Sequence, residues 1–422
     1  MIPSKCGAFK LSLTTVGAAM CLFAGACLAQ SAEPATSNFR VSGFGTLGFA
    51  HSSAPEGWGF LRSIDQPSST HNSRADIDSR LGVQVNYTAT SQIELVGQVM
   101  AARRESSAPI GDTVEWAFAA YRPTADLTFR VGRLNLDQFV MSDYRNVGFA
   151  YLYARPPVEY YGSIPTNLDG VDVARTWTFD EVQWRAKGFV GRSKINAIPL
   201  KNVFGASIAR EEGGLLLRAG WTHAKFARNT EGTSRLIESL NQVRALPVPS
   251  VSADASAMVS NLDLAAKPLT YATFGLTYMQ SEWQYAAEVT RVSLGNSKVN
   301  AGYASVARHF GDVSLFGIVS GASGNTSVVP NPVWQPVLAP LIGPAAARQA
   351  QMLGTLAAPY ASRTTRQTTY SLGARWNLHP RMALKVQWDH VKVRPNGGFL
   401  WSNSKNDPGS ANTGTVLLDF VF

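Results

Sequence analysis

The stretch that decides the fold is Thr415-Val416-Leu417-Leu418-Asp419-Phe420-Val421-Phe422, at the carboxyl end of the chain. Its even-numbered positions are all apolar, whereas the odd-numbered positions are mixed. A two-residue hydrophobic period is typical of a strand with one apolar face, and the last residues of soluble domains are usually frayed and polar. An aromatic terminus on this period therefore predicts a final strand that stays in register, and it favours an outer-membrane β-barrel.

The other end of the chain has the features of an export signal. Residues 1–29 contain Lys5 and Lys10, an apolar stretch from Leu11 to Leu28, and small residues before the cleavage position. We therefore expect a cleaved signal peptide at 1–29 and a single barrel domain at 30–422. The predicted location is the outer membrane of a Gram-negative cell.

All three cysteines, Cys6, Cys21 and Cys27, lie inside this leader, so we expect a mature protein without thiols or disulfides. An alternative interpretation makes residues 24–27 a lipoprotein processing box, but that box lacks the leucine expected three residues before the cysteine.

Composition excludes several classes of function. Removing Lys5 and Lys10 leaves 36 basic residues against 29 acidic ones, a formal charge of +7. The longest basic cluster is Arg103-Arg104, too short for a nucleic-acid tract. No segment after the leader has the roughly 18 consecutive apolar residues of a membrane helix. A closed barrel is the other structure that satisfies every backbone polar group in lipid.

Counting two-residue alternations predicts an all-β fold, a transmembrane antiparallel β-barrel of sixteen strands. Short periplasmic turns are expected to alternate strictly with longer extracellular loops. All 22 prolines fall outside the predicted strands. The predicted strands lie near 39–50, 80–87, 93–104, 113–122, 127–135, 169–178, 181–192, 201–210, 215–226, 269–279, 282–293, 301–310, 312–320, 366–378, 382–393 and 413–422.

The competing architecture is a large soluble all-β protein, because alternating strands also build sandwiches. The inward-facing positions argue against it. They include Arg130, Arg185, Lys187, Arg375 and Lys385, which would be unpaired charges in a packed core but are solvated in a watery lumen.

The chain resembles the general bacterial porins, which are sixteen-stranded outer-membrane channels and commonly trimers. The resemblance rests on the opening strand Val41-Ser42-Gly43-Phe44-Gly45-Thr46-Leu47-Gly48, on Val131-Gly132-Arg133 before the third long loop, and on the Phe420-Val421-Phe422 ending. It implies that the third loop, about 136–168, folds into the barrel as a constriction loop. It also implies that Leu418, Phe420 and Phe422 form the signal that the barrel-assembly machinery reads.

The same resemblance implies a basic ladder on the wall opposite acidic residues on the loop. The candidate pore-lining and constriction residues are Arg40, Arg80, Arg130, Asp137, Asp143, Arg145, Glu159, Arg185 and Arg218. One departure is clear: the Pro-Glu-Phe-Gly-Gly stretch common in the family's constriction loop is absent from residues 136–168.

The third loop also contains seven aromatic residues, which have two interpretations. They could stack an aromatic or sugar solute while Arg145 and Arg155 grip its carboxylate or phosphate. The favoured interpretation is that they pack the loop against the barrel wall. The aromatic residues are Phe139, Tyr144, Phe149, Tyr151, Tyr153, Tyr160 and Tyr161.

Two other loops show helical patterns. Leu236, Leu240 and Val243 recur at helical spacing within loop 227–268, and Ala345–Leu356 predicts a second short helix. Basic residues in these loops, such as Arg235 and Arg244, are candidates for contacts with lipopolysaccharide phosphates.

The sequence shows no convincing motif for catalysis, cofactor binding or metal binding. The six histidines show no metal-ligand spacing, and the common hydrolase and protease motifs are absent. Gly43, Gly45 and Gly48 match a dinucleotide-binding pattern, but they lie within one strand, so we interpret them as relief for strand bending. No enzyme activity, cofactor or metal is expected.

The sequence thus predicts a water-filled, mildly anion-preferring channel for passive diffusion of small hydrophilic solutes or ions. Alternatives are a channel selective for sugars or for aromatic or carboxylate solutes, and an adhesive or structural barrel whose lumen is shut. The expected partners are outer-membrane lipid and lipopolysaccharide, two further copies of the chain in a homotrimer, and the barrel-assembly machinery. Nucleic acid is not expected as a partner.

Overall fold

The computed structural model describes residues 38–55, 57–67, 69–104, 112–163, 165–195, 198–324, 328–362, 365–394, 397–402 and 409–422. The predicted signal peptide and the three cysteines lie outside these residues. Sixteen long strands form the wall: β1 Phe39–Ser52, β2 Arg80–Thr88, β3 Ile93–Ala102, β4 Val114–Thr124, β5 Leu127–Asn135, β6 Asn167–Phe179, β7 Val182–Ile195, β8 Ile198–Glu212, β9 Leu215–Phe226, β10 Pro268–Gln280, β11 Trp283–Leu294, β12 Ser297–Phe310, β13 Val313–Gly324, β14 Arg366–His379, β15 Met382–Val393 and β16 Gly409–Val421.

These strands close into a barrel. Each wall strand pairs antiparallel with its neighbours in chain order. The first strand pairs with β2 on one side and with β16 on the other, from Phe44 opposite Val421 to Ser52 opposite Thr413. Closure removes the free edges that an open sheet would expose. The predicted sixteen-stranded antiparallel barrel is therefore confirmed, and the soluble sandwich is excluded.

The barrel is apolar outside and polar inside. Large hydrophobic side chains such as Val131, Phe204, Leu315 and Trp376 are about half exposed on the outer face. This is the arrangement of a wall that faces lipid with one side only. The buried inward-facing polar residues include Thr46, Gln98, Asp172, Lys187, Thr290, Ser320, Thr369, Lys385 and Gln387.

The seam between β1 and β16 explains two of the glycines. An added Cβ at Gly43 would lie 2.2 Å from the ring of Phe422, and one at Gly45 would lie 2.2 Å from the ring of Phe420. The Gly43 amide also donates to the Phe422 carbonyl at 2.8 Å. Gly43 and Gly45 therefore make room for the terminal aromatic rings, a role that the sequence alone did not indicate.

The connections correct two expectations. Gly295 and Asn296 alone join β11 to β12 at the outer end, so turns and long loops do not alternate strictly. Gly295 has a φ of 57°, a left-handed conformation that suits a two-residue hairpin turn. Pro123, Pro199 and Pro268 lie inside strands rather than outside them. Each is within two residues of a strand end, where a missing N–H costs little.

The two longest outer loops are helical and pack together. Loop 227–267 contains α2 Glu231–Arg244 and α3 Pro249–Leu262, and loop 325–365 contains α4 Gln335–Ile342 and α5 Pro344–Ala361. Both predicted helical segments are confirmed. Residues from both loops, including Leu240, Met258, Trp334 and Leu338, form one buried apolar cluster. Among the residues that the structure describes, no helix is long and apolar enough to cross a membrane.

Candidate functional site: the third loop inside the barrel

The third loop, residues 136–166, turns into the lumen. Its neck is closed by the Leu136 amide, which donates to the Thr166 carbonyl at 3.0 Å. The Ser142 hydroxyl accepts from the Gln138 and Phe139 amides and forms the first turn. A short helix, α1 Val158–Tyr161, follows Pro157 and is entirely buried. The loop therefore has its own local structure, and its far half is covered by the barrel wall.

A buried ion-pair cluster fixes the far half of the loop. The Arg155 guanidinium donates to Asp78 at 2.7 Å and to Asp389 at 3.2 Å, and it also donates to the Thr415 hydroxyl at 2.6 Å. The side chains of Arg155 and Asp78 are 2% and 1% exposed. Arg155 also lies 4.8 Å from the ring centre of Phe60. We call Arg155, Asp78 and Asp389 the far anchor.

A second cluster fixes the near half. The Asp137 carboxylate forms ion pairs with Lys187 at 3.4 Å and with Arg218, and it accepts from the Ser207 hydroxyl at 3.3 Å. Lys187 lies in turn 3.2 Å from Asp172. We call Asp137, Lys187 and Arg218 the near anchor. The two anchors attach the loop to opposite sides of the wall.

Three wall cations bind backbone carbonyls between the anchors. Lys385 donates to the carbonyls of Gly148 at 2.6 Å and Tyr153 at 2.9 Å, and Arg375 donates to that of Phe149 at 2.8 Å. Arg80 likewise donates to the Asn146 carbonyl at 2.6 Å and to the Tyr151 hydroxyl at 2.8 Å. Charged donors form stronger hydrogen bonds than neutral ones, so the middle of the loop is firmly held.

Aromatic residues of the loop pack against the wall. Phe139, Tyr151, Tyr153, Tyr160 and Tyr161 belong to a buried cluster that also contains wall residues of β11, β12 and β13. Within this cluster, the hydroxyls of Tyr161 and of Tyr303 on β12 donate to Glu288 on β11. The packing interpretation of these five aromatics is therefore supported, and their faces are not free to stack a solute.

One short stretch of the loop stays partly open. Residues 142–146 are half-buried, and they border a crevice against Gln98, Glu115, Asn135 and Asn167 on the wall. The crevice volume is about 10 Å³, roughly the space of one water molecule. Asp143 and Arg185 face each other across 4.0 Å at this level, with side chains 18% and 27% exposed. We call residues 142–146 and this wall the eyelet.

Charge and burial together set the ionisation of the loop-borne groups. Burial tends to raise the pKa of Asp78, but Arg155 and Arg62 outweigh it, so the pKa is lowered. Burial likewise opposes ionisation of Asp137, yet Arg218, Lys187 and Arg185 hold its pKa well below the usual range. The Asp78 and Asp137 carboxylates are thus ionised at neutral pH. Burial lowers the pKa of Arg145 to about 10, so this eyelet residue keeps its charge.

The structure separates the candidate residues predicted from the sequence into three groups. Arg130, Asp143, Arg145 and Arg185 come together in or beside the eyelet, and Arg130 binds Asp172 at 2.5 Å. Asp137 and Arg218 form the near anchor. The remaining residues, Arg40, Arg80 and Glu159, lie elsewhere.

These three residues do not line the eyelet, and each has a physical reason. Arg40 is exposed at the inner end of β1, opposite Asn86. Arg80 is buried because it binds the loop carbonyl of Asn146. Glu159 is buried because its carboxylate accepts hydrogen bonds from Ser320, Gln367 and Thr369.

The solute-gripping interpretation of Arg155 does not hold, because its guanidinium is occupied by the far anchor. Sequence reasoning also missed the wall partners of the loop, namely Asp389, Lys385, Arg375 and Glu288. The two-residue alternation predicts that these side chains face the lumen. No local sequence signal, however, connects them to a loop more than a hundred residues away. No group of side chains suited to a metal ion occurs among the residues described.

Comparison with known proteins supports the architecture. No protein-family model and no characterised protein matches the chain by sequence. Among solved structures, it is similar to the anion-selective porin from Comamonas acidovorans, with a TM-score of 0.53, 10% identity, and coverage of 92% of this chain and 100% of that one. It is similar to Salmonella typhi OmpF in complex with daunomycin, with a TM-score of 0.53, 12% identity, and coverage of 92% and 98%. It is also similar to the outer-membrane channel DcaP of Acinetobacter baumannii, with a TM-score of 0.50, 11% identity, and coverage of 94% and 100%.

Proposed function

We propose that this chain, which has the fold of the bacterial outer-membrane porins, forms a narrow passive channel in the outer membrane for small hydrophilic solutes or ions. The observation that carries this proposal is the eyelet. The third loop crosses a closed barrel with inward-facing charges, and its half-buried stretch 142–146 faces charged wall residues. A path lined by fixed charges on both sides is suited to hydrated ions.

The anchored loop limits what can pass. Because the far and near anchors hold it across the lumen, it narrows the passage, and we propose a channel of low conductance that excludes bulky sugars. The anchors hold the loop by buried ion pairs, so the eyelet keeps one geometry at neutral pH. We therefore favour ions and the smallest charged solutes over general diffusion.

The expected anion preference has a physical basis in the eyelet. Six cations surround the eyelet and the near anchor, against four acids, and screening is weaker in a narrow, low-dielectric passage than in bulk water. The cations are Arg104, Arg130, Arg145, Arg185, Lys187 and Arg218, and the acids are Glu115, Asp137, Asp143 and Asp172. We propose a mild preference for anions. The test is the reversal potential across a planar bilayer in a tenfold gradient of potassium chloride.

The matched variant for this test is R130Q/R185Q. Neutralising two wall arginines leaves Asp172 and Asp143 without those partners, so the reversal potential should shift toward cation preference. The control is R308Q, because Arg308 forms an exposed pair with Glu282 near the short turns, away from the eyelet. A parent channel that clearly prefers cations would disprove the wall-arginine assignment.

A second candidate is supported by a specific observation. The loop is bound to the wall at both anchors and by three wall cations between them, as expected of a structural or adhesive barrel with a shut lumen. Bilayer recording separates the candidates: small, steady, unsaturated steps support the channel, blockade by one solute class supports a selective channel, and silence supports the shut barrel.

The molecular context belongs to the same proposal. We expect the outer membrane as location, with lipid and lipopolysaccharide around the barrel, delivery by a cleaved leader, and insertion by the barrel-assembly machinery. A homotrimer is the expected assembly. Mass measurement of the detergent-extracted complex, before and after chemical cross-linking, tests the number of copies.

A further inference from the structure

A row of charged side chains crosses five neighbouring strands near the outer end of the barrel. Arg133 on β5 is opposite Asp169 on β6, and Asp169 is opposite Arg192 on β7. Arg192 faces the register shift at 201–202 on β8, and Lys201 is opposite Lys225 on β9. We call these five residues the outer charged row.

The row points away from the lumen, toward lipid. Asp169 has the strand parity of Val171, and Lys225 has the parity of Trp221. Both Val171 and Trp221 are 45% exposed on the apolar outer face. Val171 lies two residues from Asp169, and Trp221 lies four residues from Lys225, in each case closer to the membrane centre. The outer charged row therefore lies directly above a lipid-facing apolar band, at the level of headgroups.

The charges in the row do not balance. Arg133 and Asp169 form an ion pair at 2.6 Å. Lys201 and Lys225 are cross-strand neighbours of like charge, with Cβ atoms about 5 Å apart, an arrangement that destabilises a sheet. Within the described part of the chain, no ion pair joins either lysine to a carboxylate. Three of the five residues thus remain as uncompensated positive charge, and an anion would relieve their repulsion.

We propose that the outer charged row binds the phosphate of an outer-leaflet lipid, whose acyl chains cover the apolar band below. Arg192, Lys201 and Lys225 supply charge-assisted donors to the phosphate oxygens. The apolar band distinguishes a lipid from free phosphate, because only a lipid buries the surface around Trp221. The site lies on the wall, whereas the sequence pointed to Arg235 and Arg244 on α2. It rests on the membrane orientation of the barrel and goes beyond conduction.

The test measures lipid binding to the full-length barrel in detergent micelles by native mass spectrometry. The probes are bisphosphorylated lipid A, the same lipid without its phosphates, and inorganic phosphate as competitor. The variant is K201Q/K225Q. The matched control is R175Q/R308Q, which also removes two positive charges but takes them from exposed ion pairs near the short turns, at the opposite end of the barrel.

We expect K201Q/K225Q to bind bisphosphorylated lipid A about thirtyfold more weakly than the parent, from the usual contribution of two basic groups near a membrane surface. The control should bind like the parent, and lipid without phosphates should bind weakly to all three proteins. Equal binding by parent and K201Q/K225Q would overturn the proposal. Displacement of lipid by millimolar inorganic phosphate would also overturn it, because it would show a simple anion site.

A second variant covers the case in which K201Q/K225Q does not fold. K225E places a carboxylate opposite Lys201, so in lipid-free detergent it should raise the unfolding temperature relative to the parent. The same variant should lose the stabilisation that added lipid A gives the parent. If lipid A stabilises K225E as much as the parent, the row does not hold the phosphate.

Discussion

The far anchor gives the sharpest prediction, because R155M removes one side chain that holds half of the constriction loop. Arg155 binds Asp78 at 2.7 Å and Asp389 at 3.2 Å, and its side chain is 2% exposed. Its removal leaves buried carboxylates without their principal partner. Methionine keeps most of the volume of the side chain, so the change is mainly one of charge.

The magnitude follows from the burial. Breaking a buried ion pair by removing one partner costs about 3–5 kcal/mol. This lowers the equilibrium constant for seating the loop, the ratio of seated to released loop, at least about a hundredfold. Arg62 remains 3.5 Å from Asp78 and offsets part of the loss. The near anchor is untouched, so the loop should loosen around 150–161 while staying attached at its neck.

Single-channel recording at neutral pH measures the effect. We expect R155M to show larger and noisier conductance steps than the parent. The rescue variant R155M/D389N also removes the carboxylate that R155M leaves without its cation, while Asp78 keeps Arg62 as a partner, so its recordings should return toward quiet steps.

The control for R155M is R308M, which removes an arginine from an exposed ion pair. Exposed pairs contribute about 0–1 kcal/mol, so its recordings should match the parent. Steps of R155M that equal those of the parent in size and noise would refute the idea that the far anchor seats the loop.

Three further outcomes are expected. Gly45→Val should lower the yield of heat-modifiable barrel, because a Cβ there would lie 2.2 Å from the Phe420 ring, whereas Gly97→Val, with nothing within 4 Å, should not. Deletion of Phe422 should impair membrane assembly, and normal accumulation of the folded barrel would count against a terminal signal. Because the folded pKa of Asp137 is lowered, its stabilisation is present above its unfolded pKa and lost as pH falls through the folded value. Channel noise should therefore stay constant from neutral pH to about 5 and rise only in stronger acid.

Much of the wall was predictable from the sequence. Each of the sixteen predicted strands overlaps an observed one, because the two-residue period is a local property of each strand. The same alternation also predicted that the side chains of Arg130, Arg185 and Lys385 face the inside of the barrel. Strand ends were less accurate: β12 begins at Ser297 rather than near 301, since pairing with β11 continues to the tip of the hairpin.

Part of the candidate site was also predictable. Asp143, Arg145, Arg130 and Arg185 meet at the eyelet, as their parity and position on the loop suggested. Glu159 was assigned to the pore, but this loop residue is buried against the wall because Ser320, Gln367 and Thr369 donate to its carboxylate. Residue type alone could not distinguish an acid that faces water from one that anchors a loop.

The sequence by itself determined the number of strands, the lipid-facing parity and the inward charges, since each depends on residues a few positions apart. Only the tertiary structure decided which of those charges hold the third loop. Arg155 meets Asp389 across 234 positions and Thr415 across 260. Such contacts arise because closure of the sheet brings distant strands around one lumen, and no short-range pattern in the chain records which side chains will then face each other.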